Sequence, residues 1–196
     1  MRAAKKERTT KETSISISLD LDGPTGTVTA STGLPFFDHM LDQLGRHGGF
    51  DLEVRATGDL HVDGHHTVED VGITLGEVFR AALGDKAGIR RFASGLYPLD
   101  EALVEVALDL SGRPFTAYDV PFGEVLPLGD PPFNPEMAEH FWQSFATAAG
   151  ITLHVRLREG RNTHHIVEAT FKGVARCLRD AVRVEGRGVP STKGVI

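Results

Sequence analysis

The sequence predicts an internally duplicated α+β fold, a strand–strand–helix–strand–helix unit written twice. It should form two antiparallel sheets with the helices packed between them. Three recurrences carry this expectation. Leu19-Asp20-Leu21-Asp22-Gly23 returns as Leu108-Asp109-Leu110-Ser111-Gly112. His39, heading an apolar stretch that ends near Gly48-Gly49, returns as His140, heading one that ends at Gly150. His65-His66-Thr67-Val68-Glu69 returns as His164-His165-Ile166-Val167-Glu168.

Each element follows from its local pattern. Ser14-Ile15-Ser16-Ile17-Ser18 and Ala102-Leu103-Val104-Glu105-Val106-Ala107 alternate with period two, as half-buried strands do. Met40, Leu41 and Leu44, and later Phe141, Trp142 and Phe145, mark short helices stopped by glycine. Strands follow at once, Phe50-Asp51-Leu52-Glu53-Val54-Arg55 and Ile151-Thr152-Leu153-His154-Val155-Arg156. After each histidine pair, apolar residues fall at intervals of three and four (Val71, Leu75, Val78, Phe79; Phe171, Val174, Cys177, Leu178), so each pair opens an amphipathic helix ending near Gly84 or Gly186. The expected division is a mobile arm over 1–11, repeats over 12–95 and 96–186, and a ligand-covering tail over 187–196. The proline-rich stretch 123–135 reads as an irregular loop.

Composition narrows the function. With 196 residues, 40% hydrophobic and 24% charged, the chain is an ordinary globular domain. No apolar run is long enough to span a membrane, and the charged N-terminus is not a secretory signal. A net charge of −6 argues against general nucleic-acid binding, and a single cysteine suits the cytoplasm. Histidine is the unusual residue, with nine copies, several adjacent.

In His-His-x-x-Glu at a helix start, the first histidine and the glutamate lie four apart on one face and can chelate one ion. The second histidine points roughly 100° away and is free for another. Two chance occurrences have a probability on the order of 10⁻³, and these two fall at equivalent points of a repeat. With His39 and His140, the ligand set becomes His39, His65, His66, Glu69, His140, His164, His165 and Glu168. Eight nitrogen and oxygen donors without thiolates suit two divalent ions with open positions, and manganese is favoured over zinc. Pseudo-symmetry suggests one ion on His65, Glu69, His140 and His165, the other on His39, His66, His164 and Glu168. His47, eight residues after His39, is a candidate to line the same pocket.

These blocks, together with Phe37-Asp38-His39-Met40-Leu41, Arg46-His47, Asp109-Leu110-Ser111-Gly112-Arg113-Pro114, Ala169-x-Phe171-Lys172 and Pro190-Ser191-Thr192-Lys193-Gly194, resemble the imidazoleglycerol-phosphate dehydratases over nearly the whole chain. The resemblance implies dehydration of D-erythro-imidazole-glycerol phosphate in histidine biosynthesis. It also implies two Mn²⁺ per active site and a 24-subunit homo-oligomer with ligands from neighbouring subunits. It maps Glu12 to the acid–base and substrate-binding glutamate, and Arg91, Arg113, Lys172, Ser191 and Lys193 to phosphate-contacting positions. His47 and Asp100 are further catalytic candidates. Many members carry a second acid before the histidine pair, where this chain has Gly64 after Asp63. A metal-storage module explains the eight ligands equally well but not the gathered cations and the Ser-Thr tail. A di-metal phosphatase would call for bridging carboxylates that the motif lacks.

Overall fold

The computed structural model describes residues 2–123, 125–192 and 194. The first half runs β1 (Ala3–Thr9), β2 (Thr13–Asp20), β3 (Val28–Ser31), α1 (Pro35–Gly48), β4 (Asp51–Gly58) and α2 (His65–Leu83). The second repeats it as β5 (Phe92–Leu99), β6 (Ala102–Asp109), β7 (Phe115–Asp119), α3 (Met137–Ala149), β8 (Thr152–Glu159) and α4 (Thr163–Ala181). The sheets have orders β1-β2-β4-β3 and β5-β6-β8-β7. In each, one edge strand pairs parallel and the other pairs are antiparallel.

The α+β class, the duplication and the intervening helices are as expected, but each sheet is mixed and each half has one more strand. Residues Ala3–Thr9, expected in a mobile arm, form β1 and pair with β2 along their length. β5 starts at Phe92, ahead of the boundary expected at 96. Both are edge strands, largely exposed and without apolar alternation, so period two does not reveal them. α1 and α3 begin about a turn before His39 and His140, with Pro35 opening α1. α4 ends at Ala181, ahead of Gly186.

The central strands bury one face: Ile15, Ile17 and Leu19 on β2, Val104, Val106 and Leu108 on β6. Over them lies one continuous core rich in aromatic rings, including Phe37, Phe141, Trp142, Phe145 and Phe171. Helix partners cross between halves, α1 against α4 and α2 against α3. α2 meets α3 closely because Gly72 and Gly76 face it. A Cβ on Gly76 would stand 2.5 Å from the Phe145 carbonyl oxygen and 2.8 Å from Ala148 Cβ. Backbone cannot yield as a side chain can, so Gly76→Ala should destabilise by about 1–3 kcal/mol despite alanine's better helix propensity. Urea unfolding checks this, and an unchanged midpoint would contradict it.

Candidate active site

The crossing of α1 and α4 builds the first histidine group. α1 presents His39, Gln43 and His47 at four-residue steps, and α4 presents His164, Glu168 and Lys172 likewise. Glu168 Oε2 lies 2.9 Å from His164 Nε2 and 3.3 Å from His39 Nε2. One donor atom from each of these residues lies within 4.8 Å of the others. Gln43 Nε2 sits 3.4 Å from His39 Nδ1, and the edge of Phe36 packs on His164. Lys172 Nζ grips the other Glu168 oxygen.

Burial is the largest influence on Glu168 and opposes its ionisation, but hydrogen bonds from Lys172 and His164 outweigh it and leave its pKa below the usual carboxylate range. His47 is pushed below an ordinary imidazole by burial and then by the Lys172 and Arg176 cations. This wall therefore carries a carboxylate, with His47 biased towards its neutral form.

The crossing of α2 and α3 repeats the design with the halves exchanged. His65 and His140 approach with ring centroids 4.6 Å apart, and Glu69 follows His65 by one helical turn. Among the described residues, only the first group brings three donor atoms within 4.8 Å.

His66 and His165 stand apart from both groups. His66 Nδ1 lies 2.9 Å from Asp59 Oδ2 and 3.9 Å from Glu12 Oε2. His165 Nδ1 lies 2.7 Å from Glu101 Oε2, with Asp100 Oδ2 3.7 Å from Nε2. The hydrogen bonds to Asp59 and Glu101 raise the two imidazoles above their ordinary pKa. Glu101 falls to about 2, chiefly through His165, then through the backbone N–H groups of Asn162 and Arg161. Asp100, in the hairpin turn between β5 and β6, holds the left-handed backbone at φ 48°.

The anion-binding candidates divide. Lys172 is one turn from Glu168. Arg91 is elsewhere: it bonds Asp109 in bidentate fashion at 2.7 and 3.1 Å and donates to the Pro190 carbonyl at 2.7 Å. Arg113 Nη2 lies 3.9 Å from the same Asp109, and Ser191 follows Pro190. The Arg91 N–H donates to the carbonyl of Ala181, at the far end of α4. At 1.5 Å per residue, Glu168 and Ala181 are roughly 20 Å apart along that helix. Within one chain, a small ligand cannot touch both Glu168 and Arg91. Lys193 lies outside the described residues.

Sequence reading missed Asp59, Glu101 and Gln43. Glu101 was within reach: the offset of 89 residues that superposes the Leu-Asp-Leu repeats puts it on Glu12. Asp59 has no such signal, because its counterpart is Gly160.

The model of the "Imidazoleglycerol-phosphate dehydratase" family matches residues 32–178. The chain belongs to this family. Members of that name from Parafrankia sp. and Acidothermus cellulolyticus are 56% and 57% identical over the whole chain, covering 99% and 93% of those proteins. Crystal structures of the dehydratases from Staphylococcus aureus and Pyrococcus furiosus superpose with TM-scores of 0.81 and 0.80 at 32% and 36% identity. They cover 94% and 97% of this chain, and 99% and 100% of theirs. Relatives so named are hydro-lyases, and the chain is accordingly an enzyme of that class.

The ion pair on Glu168 sets a pH dependence. A depressed carboxyl pKa contributes stability that is present above the unfolded value of about 4.5 and lost as pH falls through the folded one. Lys172→Met removes the partner that lowers it, so the metal-free variant should be less stable than the parent above about pH 4.5 and lose less stability as pH falls below it, the two curves drawing together in acid. Melting curves against pH check this; a gap between variant and parent that does not narrow on acidification would contradict it.

Proposed function

We propose that this chain dehydrates D-erythro-imidazole-glycerol phosphate to imidazole-acetol phosphate in L-histidine biosynthesis, in the cytoplasm, using two Mn²⁺ per active site. The observation that supports it most is the convergence of His39, His164 and Glu168 from two different helices. Two imidazole nitrogens and a carboxylate oxygen are a donor set for a borderline divalent ion that leaves positions open for substrate. His65, His140 and Glu69 are the matching set for the second ion, and His66 and His165 are the remaining ligands. When bound, the divalent ions supply positive charge that favours an ionised azole ring and hence departure of the neighbouring hydroxyl.

The chain's own residues do the rest. Glu168 contributes its charge already ionised, since Lys172 and His164 stabilise the carboxylate. Glu12, just ahead of β2 and beside His66 with its carboxylate half exposed, takes a proton from a substrate carbon and returns it. Asp100 stands beside His165 at the corresponding hairpin, a second acid at the site's rim. His47 lines the wall next to Lys172 as a neutral hydrogen-bonding group. Lys172, Arg91, Arg113, Ser191 and Lys193 take the phosphate.

The distance along α4 shapes the assembly. Arg91 and Arg113 serve a substrate held by another subunit's histidines, and His66 and His165 complete the half-sites of neighbouring chains. A 24-subunit particle with active sites between subunits fits both requirements.

Loaded with Mn²⁺, the protein should eliminate water from the substrate, contain two ions per chain and form a particle near half a megadalton. Glu12→Gln should lower kcat by ~10²–10⁴ while keeping both ions. A metal-free monomer, or a Glu12→Gln variant as active as the parent, would contradict the reading.

A further inference from the structure

The duplication that builds the histidine groups is not carried through to the acids facing His66 and His165. β2 and β6 are each eight residues long and are preceded by Glu12 and Glu101. β4 and β8 are each eight residues long and are followed by Asp59 and Gly160. By position, Glu12 corresponds to Glu101, and Asp59 to Gly160. Equal halves would hold His66 by Glu12, as His165 is held by Glu101. Instead His66 is bonded to Asp59 at 2.9 Å, and Glu12 stays at 3.9 Å.

The exchange has a local cause. Gly160 has φ 153°, a conformation that side chains rarely adopt, and a Cβ there would meet Ile166 Cγ1 at 2.9 Å. No carboxylate can project from that position, so in the second half the hairpin glutamate takes its place. Glu101 is fully engaged there: Oε1 accepts from the Asn162 and Arg161 N–H groups at 2.8 and 3.1 Å, and Oε2 faces His165 Nδ1. Asp59 is set back against the protein, with Oδ1 buried and without a hydrogen-bond partner among the described residues. Glu12 has an ion-pair approach to His66, and its carboxylate accepts no hydrogen bond among the described residues.

We propose that Asp59 and Glu101 are the positioning residues of His66 and His165, and that this unequal division leaves Glu12, but not Glu101, uncommitted. A carboxylate on Nδ1 keeps the imidazole proton there and leaves the Nε2 lone pair as the ligating atom. Asp100, 3.7 Å from His165 Nε2, is beyond hydrogen-bond range and does not reverse that choice. The proposal rests on the metal-dependent reading above and adds which acids aim two of its ligands.

The test is Mn²⁺ binding to chelator-stripped protein, with free Mn²⁺ followed by electron paramagnetic resonance. Asp59→Asn should weaken one of the two ions by about 10–100-fold and leave the other unchanged, and Glu101→Gln should do the converse. The stripped variants should melt at the temperature of the stripped parent, and Glu12→Gln should bind both ions as the parent does. Overturning results are parental binding by Asp59→Asn and Glu101→Gln, loss of both ions together with a lower melting temperature, or a Glu12→Gln defect as large as that of Asp59→Asn. If the parent itself takes up no Mn²⁺, the metal-dependent reading fails first and the proposal falls with it.

Discussion

The structure depends on one packing constraint, that each half's helices find their partners in the other half. α1 meets α4, and α2 meets α3 across Gly72 and Gly76. Neither sheet alone could bury its apolar face, and the shared aromatic layer around Phe141, Trp142 and Phe171 covers both. The same crossing joins His39 to Glu168, 129 residues away in sequence, and His140 to His65. Core formation and site formation are therefore one event. A change that separates the helices removes apolar burial and donor convergence together.

How much of this the sequence showed depends on which faces are buried. The central strands β2, β4, β6 and β8 are apolar on one side, and the two long helices carry unbroken three- and four-residue spacing, so their patterns locate them within a few residues. The edge strands gave no comparable signal. β1 is Ala-Ala-Lys-Lys-Glu-Arg-Thr, mostly charged and exposed, and β3 is four residues long. They are placed by backbone pairing with the central strands β2 and β4 rather than by burial of their own side chains. At the site, the histidine–glutamate motifs were legible because they recur. Asp59 was not, since a glycine with an unusual backbone replaces it in the second copy. That Arg91 lies far from Glu168 along α4 emerges only from three-dimensional placement.

Electrostatics distinguishes the regions. Glu168 is enclosed and its charge is secured by Lys172, whereas Arg91 is locked to Asp109 and the Pro190 carbonyl at the opposite end of α4. A bidentate pair of this kind sets the orientation of the guanidinium.

Crystals of the Mn²⁺-loaded protein, with diffraction recorded at the manganese absorption edge, test this account most directly. Two anomalous peaks per chain are predicted, one against His39, His164 and Glu168 and one against His65, His140 and Glu69, each completed by His66 or His165 of a neighbouring copy. Peaks absent from both groups, or a chain whose four helices cross without bringing those donors together, would contradict it.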